Sequence, residues 1–338
     1  MEEEFFIQWH ITNLCNLRCK HCYQEDFSKS RDLDFPALKK VSDNVLSAMS
    51  EWDKKACIHV TGGEPFLKEE LFLLLDHLDR QSAVEELGII TNGLHFDQDT
   101  MGRLSLLRKL KKIKISLDGA DVEMNDSIRG RGTFERAIEN VSLIKREGRF
   151  GIILMFTVMK RNFRDLVSLL KLCQDLGVDG LIIERFIPWG MGKKIIDEVL
   201  GQKEWNELVD TLSEFFSLND DGLFPYQAFQ VNFSGEEMEL LGAPCVIGKD
   251  GLCIMPEGNV LPCRRFPISI GNLLSDSLKI IWEKSEVLER LRRKENLKGR
   301  CGRCEIMDCR GCRSLALALT GDYLGEDPHC PYHLEPPT

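Results

Sequence analysis

Six short β-rich runs alternate with amphipathic helical segments between residues 5 and 188, and this alternation limits the folds open to the chain. The runs are FFIQWHIT (5–12), CIHVT (57–61), LGIIT (87–91), KIKISL (112–117), IILMFTVM (152–159) and GLIIERFI (180–187). Helical patterns lie near 34–52, 69–81, 98–110, 133–148, 163–176 and 203–217. Repeated strand–helix units indicate parallel strands with helices outside them. The sequence therefore predicts an α/β fold built on a partial (β/α)6 TIM-like barrel, with a doubly wound open sheet as the alternative.

Unusual residues follow each of the first four predicted strands. The stretch TNLCNLRCKHCY follows the first strand, TGGEP (61–65) the second, TNG (91–93) the third and SLDG (116–119) the fourth. The carboxyl ends of parallel strands meet at one face of a (β/α) barrel, and such barrels carry their active sites there. We therefore expect these four loops to form one shared site.

The chain changes character beyond residue 220, where the strand–helix alternation stops. The segment GLCIMPEGNVLPC (251–263) predicts a β-hairpin that turns at Glu257-Gly258-Asn259. A helical pattern near 277–295 precedes the cysteine-rich run CGRCEIMDCRGC (301–312). We expect two domains, a barrel at 1–224 and a small cysteine-rich domain at 225–338.

The thirteen cysteines fall mainly in two groups, one near each end of the chain. The first group is Cys15, Cys19 and Cys22, and the second is Cys245, Cys253, Cys263, Cys301, Cys304, Cys309, Cys312 and Cys330. The acidic start MEEEFF shows no export signal, so we expect a cytoplasmic protein. Cytosolic thiols stay reduced, which favours metal ligation over disulfides. The two isolated cysteines, Cys57 and Cys173, are predicted to be buried core thiols.

Charge and hydropathy argue against two classes of partner. The net charge of −10 creates no field that would attract nucleic acid or an acidic membrane. Apolar runs such as LFLLL (71–75) and GIILMF (151–156) are too short to span a bilayer. The basic run RLRRK (290–294) shares its helical pattern with several glutamates, which predicts a solvated face. We therefore expect no nucleic-acid partner and no membrane partner.

The three cysteines of CNLRCKHCY (15–23) are too few for a closed structural zinc site. A [4Fe-4S] cube has four irons, and each iron needs an outer ligand. Three cysteines on a short loop can bind three irons and leave the fourth open for a substrate or cofactor. The pattern therefore predicts such a cluster. A zinc site completed by His21 or His10 is the alternative.

The spacing Cys-x3-Cys-x2-Cys, followed directly by Tyr23, resembles the radical S-adenosylmethionine (SAM) superfamily. The resemblance covers roughly residues 5–190. It implies that the open iron chelates the amino and carboxylate groups of SAM. Electron transfer would then cleave SAM to a 5′-deoxyadenosyl radical, and this radical would abstract a hydrogen atom from the substrate.

The resemblance also assigns residues to SAM on the loops that follow the strands. They are Tyr23, Gly62, Gly63, Glu64, Asn92, Ser116, Asp118 and Arg129. The glycines of GGEP would let the backbone approach closely, and Glu64 would offset the ammonium charge. The polar side chains after strands three and four suit ribose recognition. Arg129 suits the methionine carboxylate, and Tyr23 would lie near the adenine.

The second cysteine group resembles the SPASM extension of radical SAM enzymes, which usually binds two auxiliary [4Fe-4S] clusters. By resemblance, the first cluster takes Cys245, Cys253, Cys263 and Cys312, and the second takes Cys301, Cys304, Cys309 and Cys330. The run Cys-x2-Cys-x4-Cys-x2-Cys is tighter than is usual in the family, so other partitions stay open. Two zinc-ribbon-like sites are the alternative, because Cys-x2-Cys is also zinc spacing. Clusters, unlike zinc, would also transfer electrons.

Proteins with this arrangement mostly modify ribosomally made peptides or protein side chains, often by a net two-electron oxidation. The resemblance therefore implies a maturase that oxidises or cross-links a peptide and receives electrons from a low-potential donor such as flavodoxin or ferredoxin. The motif begins at residue 15, so we expect no preceding leader-binding domain, and a separate peptide-recognition protein could supply that role. Arg264 follows Cys263 where sulfatase-maturing relatives have an acidic residue, which argues against formylglycine formation. No catalytic acid or base is assigned.

Two other functions stay open. One is the tailoring of a small cofactor, as in relatives that decarboxylate or trim haem precursors or modify metal–pterin cofactors. The segment ERFIPWGMGKK (184–194) is a candidate for the substrate opening, or else a plain strand-to-helix connection. The other function is a zinc-stabilised binding module or an iron–sulfur electron carrier, which would leave GGEP and SLDG unexplained.

Overall fold

The computed structural model of the chain describes residues 3–218, 223, 226–235, 237–243, 245–306 and 309–330. Six strands run parallel to one another, each beside the next in the sequence. They are β1 (Glu3–His10), β2 (Lys54–Thr61), β3 (Val84–Thr91), β4 (Leu110–Ser116), β5 (Gly151–Val158) and β6 (Gly180–Arg185). All six lie where the sequence predicts strands. Their sequential order fits a singly wound barrel, since a doubly wound sheet reverses its strand order at a switch point.

Helices connect these strands. They are α1 (Phe35–Trp52), α2 (Leu71–Asp79), α3 (Gln98–Ser105), α4 (Val122–Arg129), α5 (Thr133–Glu147), α6 (Leu166–Leu176) and α7 (Gln202–Phe215). The helix signals read from the sequence act as expected at α1, where the Asp34 side chain accepts a hydrogen bond from Ala37 N at 3.0 Å. Gly148 and Gly177 end α5 and α6 in the left-handed conformation, at φ 63° and 60°. The sequence analysis missed α4, a short helix that Asp121 caps.

The two faces of the barrel strands differ in chemistry. On one face Phe5, Ile7 and Trp9 of β1 are buried in a core with the apolar stripes of the helices. On the other face Lys114 Nζ lies 3.2 Å from His59 Nδ1, and His59 Nε2 lies 3.5 Å from Glu86. The barrel interior is therefore partly polar. This polarity accounts for the alternation of apolar and polar residues in β4.

The sheet continues beyond the six parallel strands at both edges, to eleven strands in all within the described chain. The added strands are β7 (Ala228–Asn232), β8 (Glu239–Gly242), β9 (Gly251–Ile254), β10 (Asn259–Leu261) and β11 (Gly271–Asn272). Strand β7 pairs antiparallel with β6, and β9 pairs parallel with β1. The predicted hairpin forms between β9 and β10. The boundary at 224/225 stays a prediction, since one sheet contains strands from both sides of it.

The C-terminal part contains short helices. They are α8 (Leu278–Lys284), α9 (Glu286–Arg292), α10 (Gly299–Arg303) and α11 (Arg313–Thr320). The single helix predicted near 277–295 is wrong, because Ser285 is extended and caps α9 by accepting a hydrogen bond from Leu288 N. None of the described helices has the length and apolar character needed to cross a membrane.

Candidate active site

The three cysteines of the first group lie on the loop that follows β1, at the edge of a cavity over the carboxyl ends of the barrel strands. Cys15, Cys19 and Cys22 all line this cavity, which we call the barrel cavity. Residues from the loops after β2 and β3 line it as well, together with Ser116 at the end of β4, so these strand ends meet at one cavity as expected. The sequence-predicted residues that join the cysteines there are Tyr23, Gly62, Gly63, Asn92, Ser116 and Arg129.

The glycines of GGEP pack against the backbone that leads into the cysteine loop. Gly63 N donates to Thr12 O at 2.8 Å, and Glu64 N donates to Leu14 O at 2.8 Å. A Cβ atom on Gly62 would lie 2.6 Å from Thr12 O, and one on Gly63 would collide with Leu14 O. Glycine is therefore required because two backbones meet here. The close approach expected from the sequence is present, and its partner is the cysteine loop.

The loop after β6 supports the other side of the cysteine loop. Gly192 N donates to Cys22 O at 3.0 Å, and Met191 N donates to Gln24 O at 3.2 Å. Gly190 lies against the Tyr23 backbone with a positive φ of 55°, a conformation that disfavours side chains. A role of the segment 184–194 as the substrate opening stays a prediction. Its first residues line the barrel cavity, and its glycines support the cysteine loop.

The environment of the three thiols suits metal binding better than free thiol chemistry. Burial raises the pKa of Cys19 to about 12, although Arg129 partly opposes this effect. Burial also raises the pKa of Cys15 and of Cys22. The thiols stay protonated at neutral pH unless a metal displaces their protons. Leu17 N donates toward Cys15 Sγ at 3.4 Å, the kind of bond that stabilises a cluster-bound sulfur.

The zinc alternative requires the three cysteines and either His21 or His10 to bind a single ion. In the part of the chain that the structure describes, no three His, Cys, Asp or Glu side chains converge as one metal ion would require. In a cubic cluster each cysteine binds a different iron, so the thiols do not need to converge on one point. The arrangement at Cys15, Cys19 and Cys22 therefore fits a cluster better than it fits zinc.

Glu64 and Asp118 have protein partners that the sequence did not reveal. The Glu64 carboxylate accepts hydrogen bonds from Thr91 Oγ1 and Asn92 N, both at 2.8 Å, and it is fully buried. Burial raises its pKa to about 7. Asp118, also fully buried, lies 2.7 Å from Arg129 Nε and 3.3 Å from His21 Nε2. Neither carboxylate is among the residues lining the barrel cavity, so contact of either with SAM stays a prediction.

Asn92, Arg129 and Tyr23, which are also predicted to contact SAM, line the cavity and have different protein partners. Asn92 Nδ2 donates to Asn16 Oδ1 at 2.8 Å, which links the end of β3 to the cysteine loop. Arg129 is nine-tenths buried and paired with Asp118. The Tyr23 ring packs edge-on against His10, with the Arg264 guanidinium 4.1 Å from its centroid. Arg264 is a cavity residue whose position sequence reasoning missed, and the pair of arginines after Cys263 was the available signal.

The second cysteine group divides into two neighbourhoods. Four of its cysteines line one small cavity, and they are Cys301, Cys304, Cys309 and Cys330. The backbone N of Asp327 donates to Cys301 Sγ at 3.3 Å, and Arg313 donates to the same sulfur at 3.5 Å. These four are the cysteines that the resemblance assigns to the second auxiliary cluster.

The remaining cysteines lie near one another on the side facing the barrel. Cys263 and Cys312 both act on the pKa of Cys245, which burial raises to about 12. Burial likewise raises the pKa of Cys253, which Cys263 also influences. The grouping matches the partition expected by resemblance, and the ligand sets themselves stay predictions. Both neighbourhoods offer the soft thiolate donors that iron–sulfur clusters use.

A buried ion pair joins the C-terminal segment to the barrel, and nothing in the sequence pointed to it. Arg185, at the end of β6, lies 2.8 Å from Asp327, and both side chains are under one-twentieth exposed. Trp205 packs between the Arg185 guanidinium, 4.0 Å from its ring, and the stacked ring of His329. These contacts bring the small cavity of the second cysteine group close to the end of β6.

Comparison with protein families gives two matches along the chain. The radical SAM superfamily matches residues 9–173, and the SPASM iron–sulfur cluster-binding domain matches residues 245–305. Between them these matches include every cysteine of the first group and five cysteines of the second. They fall on the two regions that line the barrel cavity and the C-terminal cysteine sites.

Similar proteins match along almost the whole chain. An AdoMet-dependent heme synthase of Methanosarcina barkeri is 28% identical, with 96% of each chain covered. A pre-heme d1 synthase of Dinoroseobacter shibae is 30% identical, with 95% of this chain and 85% of the relative covered. A mycofactocin maturase of Mycolicibacterium smegmatis is 28% identical over 96% of this chain and 82% of its own.

Solved structures share the fold. The structure of anSMEcpe with bound AdoMet has a TM-score of 0.73 at 20% identity, covering 97% of this chain and 94% of its own. The structure of Streptococcus suis SuiB bound to precursor peptide SuiA has a TM-score of 0.72 at 15% identity, covering 98% of this chain and 77% of its own. The barrel and the C-terminal cysteine region are thus parts of one known architecture.

Proposed function

Because this chain belongs to the radical SAM superfamily and carries a SPASM domain, we propose that it is an enzyme that oxidises a carboxylate-bearing substrate with a radical derived from SAM. The observation that carries the proposal is the meeting of Cys15, Cys19 and Cys22 with the loops after β2 and β3 and the end of β4 in one cavity. When bound, the [4Fe-4S] cluster supplies the electron that cleaves SAM, and the resulting 5′-deoxyadenosyl radical abstracts a hydrogen atom. A low-potential donor such as flavodoxin or ferredoxin would supply that electron.

The residues around the cavity would position SAM rather than react with it. Cys15, Cys19 and Cys22 would bind three irons and leave the fourth open to SAM. A fourth cysteine, Cys263, also lines the cavity, but it belongs to the second group. The backbone of Gly62 and Gly63 would lie beside the methionine part, and Tyr23 beside the adenine. Among the other residues assigned to SAM, Ser116 lines the cavity and is available to a ribose hydroxyl.

In this proposal Glu64, Asp118 and Arg129 also hold the loops and side chains around the cavity in position. Glu64 connects the GGEP loop to the end of β3, and Asp118 orients Arg129 toward the cavity. Contacts of this kind position the residues that touch a cofactor. The ammonium and carboxylate groups of SAM would contact this charged layer.

Two auxiliary clusters would occupy the C-terminal region. Cys301, Cys304, Cys309 and Cys330 share a cavity, which supports their assignment to one cluster. The other four cysteines, Cys245, Cys253, Cys263 and Cys312, would ligate the second. The proximity of Cys263 to the barrel cavity supports a role for that cluster as the acceptor of the electron left on the substrate.

For the substrate, we place the tailoring of a haem precursor ahead of peptide maturation. The heme synthase relative matches 96% of both chains. A propionate side chain that loses a hydrogen atom, CO2 and one electron becomes a vinyl group, and the carboxylate leaves as CO2 without need of a base. Arg264 stands where sulfatase-maturing relatives have their acidic residue, and this reaction has no use for that base.

Peptide oxidation or cross-linking is the second candidate. The mycofactocin maturase relative and the fold shared with SuiB, whose structure holds a precursor peptide, support it. Here the substrate would lose two hydrogens, one as an atom to the radical and one as a proton with its electron passed to an auxiliary cluster.

The SAM chemistry is tested with anaerobically reconstituted protein and dithionite. The wild-type protein should release 5′-deoxyadenosine from SAM, with about three cubes of iron per chain. Cys19→Ala should abolish this release, whereas Cys173→Ala, which removes a buried core thiol, should leave it unchanged. Equal turnover in Cys19→Ala would contradict the proposal, as would stoichiometric zinc with little iron.

The substrate class is tested by product mass. A porphyrin with propionate side chains should lose the equivalent of formic acid for each propionate converted. A precursor peptide that loses two hydrogens, with the porphyrin unchanged, would replace the first candidate with the second.

A further inference from the structure

Four arginines line the barrel cavity among the residues described, and three of them are paired with carboxylates. Arg129 lies 2.7 Å from Asp118, Arg185 lies 2.8 Å from Asp327, and Arg265 lies 2.8 Å from Glu184. The fourth is Arg264. Within the described part of the chain it has no carboxylate partner.

Arg264 is nevertheless well ordered by its surroundings. Its guanidinium lies 4.1 Å from the centroid of the Tyr23 ring, within the range of a cation–π contact. The side chain is half-buried, and its Nε–H is fully buried with no hydrogen-bond partner. A buried donor without a partner costs free energy, and this cost disappears when a ligand accepts the bond.

The chemistry of a guanidinium defines the missing partner. Its planar array of N–H donors matches a carboxylate in a two-point contact, which an ammonium group cannot reproduce. We propose that Arg264 binds a carboxylate group of the substrate in the barrel cavity. The inference rests on the proposed function, because it assumes that the substrate occupies this cavity.

The location of Arg264 also indicates where in the cavity the substrate carboxylate would lie. Tyr23 follows the last cysteine of the first group, and Cys263 precedes Arg264. A carboxylate at Arg264 would therefore lie between the SAM end of the cavity and the C-terminal cysteines. This position would orient the substrate for hydrogen abstraction on one side and for electron removal on the other.

The test measures binding of defined carboxylates to the reconstituted protein. Mesoporphyrin IX carries two propionates and its dimethyl ester carries none, and a short peptide with one glutamate is paired with its glutamine counterpart. Arg264→Gln should weaken binding of the free acid about 10- to 100-fold, as expected for a lost charge-assisted hydrogen bond. Arg264→Lys should show an intermediate loss. The ester should bind weakly, and with the same affinity, to the wild type and to both variants. The same should hold for the glutamine peptide.

The control variant Arg146→Gln removes an exposed charge on α5 and should bind like the wild type. Tighter binding of the porphyrin than of the peptide assigns the carboxylate to a small molecule, and the reverse assigns it to a peptide. Equal affinities of wild type and Arg264→Gln for the free acid would overturn the proposal. So would failure of the wild type to prefer either acid over its neutral counterpart.

Arg264 could instead balance the charge of the clusters or of SAM. In that case Arg264→Gln would change the SAM affinity or the cluster reduction potentials without a selective loss of carboxylate binding, and this result also overturns the proposal. Release of 5′-deoxyadenosine without substrate tests the proposed function separately from the role of Arg264. If the wild type does not release it, the proposed function fails. If it does and carboxylate binding ignores Arg264, this inference alone fails.

Discussion

The two cysteine regions of the molecule are supported in different ways. The first, at 15–22, accepts a backbone hydrogen bond from the loop after β6 at Cys22 O and donates one from Lys20 N to Ile128 O of α4. The residues just before it accept backbone hydrogen bonds from the loop after β2. The second, at 245–330, lies among short strands and helices, including the five-residue α10. The barrel therefore forms the first site largely by itself. The helices and strands of the second region are short, so we expect its folded structure to depend on metal binding.

The two regions also differ in how they use charge. Around the first, burial raises the pKa of Cys22, and Arg129 and Arg264 beside the thiols partly oppose this effect. The second is attached to the barrel by the buried pair between Arg185 and Asp327. Arginines thus lie beside the thiols of the first region, whereas in the second a buried ion pair joins the C-terminal segment to the barrel. This contrast yields five predictions.

Iron removal should have the largest effect, and it should act unequally on the two regions. A chelator under reducing conditions should abolish amide protection at 301–306 and 309–330, because metal binding supplies much of the folding free energy of such small sites. Strands β1–β6 should stay protected by their shared apolar core. Hydrogen exchange followed by mass spectrometry measures both. Protection that persists in the C-terminal segments would show that the two regions are equally self-supporting.

The docking pair should give the next largest effect. Removal of one partner of a buried ion pair typically costs about 3–5 kcal/mol, because the other charge stays buried. Arg185→Met should therefore lower the thermal midpoint strongly. Lys39→Met breaks an exposed pair with Asp43 and should cost no more than about 1 kcal/mol. Equal effects of the two variants would show that Arg185 does not dock the C-terminal segment.

The same pair predicts a dependence on pH. Burial opposes ionisation of Asp327, but Arg185 outweighs it and the pKa is lowered to about 2. A carboxyl whose folded pKa is below its ordinary value of 3.8 stabilises the protein fully above about pH 4 and loses this contribution as the pH falls toward 2. The difference between wild type and Arg185→Met should shrink over that window.

Much of the barrel was predictable because its signals are local. The six strands and their loops follow from hydrophobic runs and from glycine or aspartate at helix ends. The pairing of β9 with β1 was not predictable, because it joins segments more than two hundred residues apart. The partners of Glu64 and Asp118 were missed because they lie on other elements of the barrel, which only the fold brings together. A motif names a residue, but its neighbours across the fold decide what its side chain contacts.

The glycine contacts of the first region can be tested by adding one methyl group. Gly63→Ala would place a Cβ atom against Leu14 O, and overpacking of this kind costs about 1–3 kcal/mol. Displacement of the cysteine loop should also lower 5′-deoxyadenosine release about tenfold or more. Gly102→Ala, in α3 with nothing near its Cβ, should stabilise the protein by about 0.5–1 kcal/mol. A Gly63→Ala protein with normal release would show that the loop does not depend on this contact.

The smallest expected effect concerns Glu64. Its variant tests whether Glu64 only holds the loop of the first site in place or also contacts SAM. Its pKa is raised from 4.5 to about 7 by burial, against the opposing hydrogen bonds from Asn92 and Thr91. A carboxyl that binds its proton more tightly in the folded state makes the protein less stable as the pH rises from 4.5 to 7. Glu64→Gln loses one hydrogen bond but never becomes charged. Its thermal midpoint relative to wild type should therefore rise by a few °C between pH 5 and pH 8. If SAM brings its ammonium to Glu64, saturating SAM should remove this pH-dependent difference, because the added positive charge lowers the carboxyl pKa. A difference that SAM leaves unchanged would assign Glu64 to the support of the loop alone.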